Sequence, residues 1–286
     1  MLAVADSHGD DGKRSVEARP SEEDQDFDDA DDGFCINWDL LKKADLNPLE
    51  QEQREAAAEF LFSTFHINGH AITIREQPQL GIAHQVWKAS IVLAKYFATE
   101  EYFPPQADGS SWWSGKTVLE LGAGTGIPGL LLARYGARVT ITDLPHVVPQ
   151  MEWNADHNKP PSPLEPCRAA PLAWGEKSEA VTGTFDVIIG ADVVYWERNF
   201  APLIETLKEH SNDDTVIFMS WQKRRKGDTL FFRMLSKTFS YDDVDFSLTP
   251  LEGAVPPKAL KKMHVLKVTR RKKKDTTALP PSHCNN

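Results

Sequence analysis

Three groups of residues in this chain have types and spacings that can do chemistry. The first is E-L-G-A-G-T-G, Glu120 to Gly126, where an apolar run carrying an acid meets Gly122, Gly124 and Gly126 just before Ile127 and Pro128. Glycine supplies positive φ and lets a ligand approach the backbone without meeting a Cβ, and proline suits the first turn of a helix. The second is Asp143, the acid that closes R-V-T-I-T-D. A doubly wound sheet places it beside the glycines at the carboxyl edge, where a carboxylate can accept from two ribose hydroxyls. The third is A-D-V-V-Y, Ala191 to Tyr195, which delivers Asp192 and Tyr195 from a buried strand to the same edge.

The first two groups point to a ligand carrying a nucleoside. Gly124, Gly126 and Gly129 also satisfy G-x-G-x-x-G with an acid about 20 residues on, so a dinucleotide is an alternative on these residues alone. A pyrophosphate seeks helix N-terminal amides. S-adenosylmethionine instead presents an amino-acid end, to whose ammonium Glu120 offers an anion, and this favours the methyl donor. On spacing alone Trp87 reads mainly as core packing, and Trp174 reads equally as a lid over the core and as an edge to such a ligand. The pair Asp192 and Tyr195 also has a plain structural reading, as a helix-capping carboxylate and a packed tyrosine.

The secondary structure that carries these groups follows in chain order. Asn47, Pro48 and Glu50 predict a helix from about Pro48 to Phe62. Phe65 to Gln77 alternates around Asn68-Gly69, a hairpin signal. Gly81 to Phe97 places Trp87, Ser90, Ile91, Ala94 and Phe97 on one helical face. A Pro-, Gly- and Ser-rich insertion, Pro104 to Gly115, leads into the strand before the glycines. Strands are then predicted at Arg138 to Asp143, Ala169 to Leu172, Val187 to Ile189, Thr215 to Trp221, Tyr241 to Phe246 and Met263 to Thr269. Helices fall between them, from Pro145 to near Asn158, around Phe200 to Leu207 and over Asp228 to Lys237. With the strand before the glycines that makes seven strands, the last two forming an antiparallel pair.

At 286 residues, 41% hydrophobic and 26% charged, the chain can bury one sizeable core. The net charge of −10 is local: residues 1–35 hold twelve acids against Lys13, Arg14 and Arg19, so the rest is nearly neutral. The run Ser21 to Asp32 repels itself and has little apolar surface, which predicts a disordered, solvated tail. Cys35, Cys167 and Cys284 have no metal or disulfide spacing, so no metal is expected. No apolar run approaches membrane-spanning length. The expectation is an intracellular monomer, cytoplasmic and also nuclear if the basic run Arg270 to Lys274 acts as an address. That run also reads as a contact for an acidic partner or as plain solvation of the last strand's end. No membrane or nucleic-acid partner is expected. The expected organisation is an acidic tail (1–44), a helix and hairpin extension (45–80), the main domain (81–270) and a basic and polar tail (271–286).

Taken together, V-W-K-A-S-I-V-L-A-K-Y (Val86 to Tyr96), E-L-G-A-G-T-G, T-I-T-D (Thr140 to Asp143), L-A-W-G (Leu172 to Gly175) and A-D-V-V-Y resemble the family 16 seven-β-strand protein-lysine methyltransferases, named for a D-x-x-Y motif. The resemblance spans about Phe65 to Lys274. It implies an α/β, Rossmann-like sheet of seven strands, mostly parallel with an antiparallel last strand, and S-adenosylmethionine as methyl donor. It further implies that Trp87, Glu120, Gly122, Gly124, Asp143, Trp174 and Ala191 contact the donor, while Asp192 and Tyr195 face the target lysine. The helix from Trp87 and the basic end are similar to family members that modify chaperones, which implies a chaperone-type or AAA ATPase as protein substrate. Other relatives modify elongation factors, and nicotinamide-type enzymes that methylate small molecules share the donor loop. Many relatives carry aspartate after the helix tryptophan, where this chain has Lys88.

Overall fold

The computed structural model describes residues 59–223 and 228–271. The acidic tail, most of the helix expected from Pro48 and the tail beyond Arg271 lie outside the described residues. Where that expected helix should end, the structure differs: Leu61 and Phe62 already belong to strand β1 (Leu61–Ile67), opposite Glu76 and Arg75 of β2 (His70–Glu76). Cross-strand pairing decides the backbone there. The turn is Asn68-Gly69, both at positive φ (42° and 78°), as a two-residue hairpin of this type requires. Ile67, Ile72 and Ile74 are buried. An isolated hairpin is marginal in water, and this one is tied down by side chains of a helix described below.

Two short 3₁₀ turns, Pro78–Leu80 and Ile82–His84, follow. Helix α1 (Lys88–Phe97) therefore begins seven residues after the expected Gly81, which itself sits at φ 136°. The predicted face is otherwise as expected, with Ser90, Ile91, Ala94 and Phe97 buried. Phe97 stacks edge-on to Trp113 at 4.7 Å between centroids, and the Trp113 indole N–H donates to the Phe97 carbonyl at 3.1 Å. A fully buried tryptophan thus anchors a segment whose composition reads as surface loop.

The main sheet contains β3 (Thr117–Leu121), β4 (Arg138–Asp143), β5 (Arg168–Pro171), β6 (Val187–Ala191), β7 (Val216–Gln222), β8 (Phe239–Asp243) and β9 (Met263–Arg270). Their order is β5-β4-β3-β6-β7-β9-β8. The first five are parallel, and β9 runs antiparallel to both β7 and β8, between which it inserts. β8 lies slightly earlier than the predicted Tyr241 to Phe246 because Phe239 pairs with Arg270. Helices α2 (Ile127–Arg134), α3 (Val148–His157), α4 (Phe200–His210), α5 (Asp228–Leu235) and the short α6 (Pro257–Leu260) complete the order.

Alternation along β3 divides the core. Val118 joins the cluster beneath α1, α2 and α3, while Leu119 and Leu121 join the cluster beneath α4 and α5. After β3 the chain winds outward through β4 and β5, then returns to place β6 on the other side of β3. That reversal opens a crevice at the carboxyl ends of β3 and β6, where open α/β sheets bind ligands. Among the described residues, no helix is long and apolar enough to cross a membrane and no cluster of His, Cys, Asp or Glu could hold a metal ion.

Candidate functional site

The loop after β3 carries its glycines for three separate reasons. Gly122, Gly124 and Gly126 have φ of 60°, 55° and 82°. A Cβ on Gly122 would lie 2.8 Å from the Trp174 ring, and one on Gly124 would lie 2.9 Å from the Ala83 carbonyl oxygen. Gly126 is the left-handed residue that turns the chain into α2, with Pro128 in the first turn. The 3₁₀ segment before α1 is thus packed directly on this loop.

Asp143 ends β4 against the same loop. One carboxylate oxygen accepts the Gly124 amide at 2.9 Å and the other accepts the Leu144 amide at 2.8 Å. The residue is buried, and burial raises its carboxyl above the ordinary range, while those two amides and His146 oppose the rise. Each oxygen keeps a further acceptor site for a ligand hydroxyl.

Asp192 follows β6 in the left-handed region at φ 61°. Aspartate tolerates this better than most side chains, and such strain concentrates at functional sites. Its amide donates to the Ser220 carbonyl at 2.7 Å, which tethers the turn to β7. The Gln222 amide lies 3.5 Å from Asp192 Oδ1. Tyr195, half-buried, has its phenol pushed up to about 12, mainly by burial, with the Asp143 and Asp192 carboxylates adding to the rise and Arg198 opposing it. The structure therefore brings Gly122, Gly124, Asp143, Trp174, Asp192 and Tyr195 to one end of the sheet, with Ala191 half-buried at the tip of β6.

Trp87 stands at the N-cap position of α1, and its indole N–H donates to the Ile82 carbonyl at 2.8 Å. It therefore braces the segment that leans on Gly124. Glu120 is placed differently from the sequence expectation. It is 0% exposed on the face of β3 that it shares with Val118, beneath α2, and its Oε2 accepts the Gly129 amide of α2 at 2.8 Å. The side chain thus supports the base of α2 and does not present an anion in the crevice. The Ala83 carbonyl against Gly124 left no mark in the sequence, because a backbone group is indifferent to residue type.

A family profile described as lysine methyltransferase matches residues 66–238. The chain belongs to the lysine methyltransferase family. Among similar proteins, the protein N-lysine methyltransferase METTL21A of Mus musculus is 35% identical over 186 residues, covering 64% of this chain and 81% of that protein. The EEF1A lysine methyltransferase 3 of Mus musculus is 35% identical over 181 residues, covering 62% of this chain and 73% of that protein. A solved T. thermophilus 16S rRNA N2 G1207 methyltransferase, in complex with AdoMet and guanosine, shares the fold at a TM-score of 0.52 and 21% identity, over 74% of this chain and 51% of that one. This lysine methyltransferase is an S-adenosylmethionine-dependent enzyme acting on lysine in protein. The three glycines at positive φ after β3, the paired-amide carboxylate of Asp143 and the half-buried Trp174 fit that donor.

Proposed function

We propose that this enzyme methylates the ε-amine of a lysine in a chaperone-type ATPase, with Asp192 and Tyr195 receiving the amine. Gly122, Gly124, Asp143, Trp87, Trp174 and Ala191 hold the donor in this reading. The observation that carries it is the convergence of Asp192, Tyr195 and Asp143 at the carboxyl edge, with Asp192 in a strained turn and nearly enclosed. When bound, S-adenosylmethionine supplies a methyl group already activated on a sulfonium. The residues then have to present a neutral amine in line, and positioning supplies much of the acceleration.

A lysine has a reference pKa of about 10.4 and arrives protonated. Entry into a partly apolar site lowers that value. The Asp192 carboxylate attracts the ammonium and, once its proton passes to water, holds the nitrogen by accepting one of its hydrogens. The Tyr195 phenol stays neutral at physiological pH and can both donate and accept, so it orients the nitrogen without adding charge.

The chaperone assignment is supported by the likeness of Trp87 to Tyr96 and of the basic end to chaperone-modifying relatives. An elongation-factor substrate is the second reading, favoured by the relative that bears that name. The test is incubation with methyl-labelled S-adenosylmethionine and a cell extract lacking the endogenous enzyme, followed by mass spectrometry of labelled bands. A labelled chaperone ATPase is expected, with label lost for Asp192→Ala while donor binding persists. Label on an elongation factor selects the second reading, and label only in small molecules overturns both.

A further inference from the structure

Helix α3 and its C-cap residue carry two buried asparagines one turn apart, Asn154 (0% exposed) and Asn158 (2%), both facing the edge of β2 that β1 leaves open. Asn154 Oδ1 accepts the Arg75 amide at 2.8 Å and its Nδ2 donates to the Arg75 carbonyl at 3.3 Å. Asn158 repeats the arrangement at Thr73, accepting its amide at 2.8 Å and donating to its carbonyl at 2.6 Å. Two residues along a strand span about 6.8 Å and one helical turn about 5.4 Å, so the spacings nearly match. The two side chains serve the hairpin as a further strand would.

They differ in one contact. Asn158 Nδ2 turns back to its own helix, donating to the Asn154 carbonyl at 2.7 Å. Asn154 Nδ2 donates to the carbonyl of Thr125, in the middle of the glycine loop, at 3.1 Å. A peptide unit is planar, so fixing the Thr125 carbonyl also fixes the Gly126 amide on its other side. That amide donates to the Ala123 carbonyl at 2.8 Å, and Asp143 holds the Gly124 amide. The loop is thus clamped at two points by side chains from outside it, and one clamp is also bonded to the hairpin. Asparagine suits this place because it offers an acceptor and two donors on one short amide.

We infer that Asn154 is a positioning residue for the donor loop and makes the N-terminal hairpin part of the donor site. This rests on the reading that the Gly122 to Gly126 loop holds the donor. In the full chain, S-adenosylmethionine affinity is measured by calorimetry, and thermal midpoints are measured without donor. Asn154→Asp turns a donor into an acceptor facing the Thr125 carbonyl; Asn158→Asp damages the hairpin contact alike but spares the loop. Asn154→Asp is expected to weaken donor binding about tenfold, the equivalent of one lost hydrogen bond. Asn158→Asp is expected to lower the midpoint similarly and leave affinity unchanged. Equal affinities for the two variants overturn the inference. Gly124→Ala, strained at φ 55°, tests the underlying reading separately: unchanged affinity there means the loop does not hold the donor. Should the asparagine variants fail to fold, hydrogen exchange on the wild-type protein decides. Donor binding must slow the Arg75 amide more than the Thr73 amide, and equal protection overturns the inference.

Discussion

Asp143 accepts the amide of Gly124 at 2.9 Å, so the acid that ends β4 is also a structural part of the loop that ends β3. Donor contact and loop conformation are therefore not independent here. A substitution at Asp143 removes a charged acceptor from the crevice and releases the loop in the same step.

Asp143→Asn keeps one acceptor oxygen but turns an amide donor toward either Gly124 or Leu144; Asp143→Ala loses both bonds. Bonds to a charged group contribute about 1.5–3 kcal/mol each, so donor affinity is expected to fall roughly tenfold for the asparagine variant and about 100-fold for alanine. Turnover at saturating donor should change less than affinity. Calorimetric titration with S-adenosylmethionine checks the first statement and initial rates check the second. Equal affinities for wild type and alanine would remove Asp143 from the donor site.

Gly129 in α2 is needed for packing, with an ordinary helical backbone. A Cβ there would lie 2.5 Å from Glu120 Oε2 and 2.5 Å from Ile141 Cγ2. Gly129→Ala must lift α2 from the sheet, at a cost of about 1–3 kcal/mol for overpacking, which outweighs the better helix propensity of alanine. A lower thermal midpoint is expected, with weaker donor binding because α2 begins at the glycine loop. An unchanged midpoint would mean that the helix can shift without loss.

The chemistry of the site was legible because it lies in short local patterns. Three glycines before Pro128 require one backbone path, and β4 from Arg138 to Asp143 carries its own alternation and stop. What could not be read locally was decided by distant partners. Phe62 is a strand residue because Arg75 lies opposite it, and α1 starts at Lys88 because the residues before it are held against Gly124. Trp113 sits in a segment composed like a loop, yet Phe97 and Phe103 give it a core position. Glu120 shows the limit most clearly. Alternation in T-V-L-E-L says that it shares a face with Val118, but only the packing of α2 shows that this face is closed.

That enclosure has a measurable consequence. Burial pushes the Glu120 carboxyl up to about 8, opposed by the Gly129 amide and reinforced by Asp143. A carboxyl raised in the folded state holds its proton after the unfolded chain has released it. The folded state then binds more protons, and stability falls as pH rises. Glu120 is thus expected to cost nothing below about pH 4.5 and to become progressively destabilising up to about pH 8. Glu120→Gln keeps an acceptor for the Gly129 amide without a titratable proton. Denaturant unfolding of both proteins across this range should give a stability difference that grows in favour of the glutamine variant and levels off above about pH 8. A difference independent of pH would mean that Glu120 has the same proton affinity in both states. A difference growing in the opposite direction would mean that the carboxylate is stabilised by a positive partner.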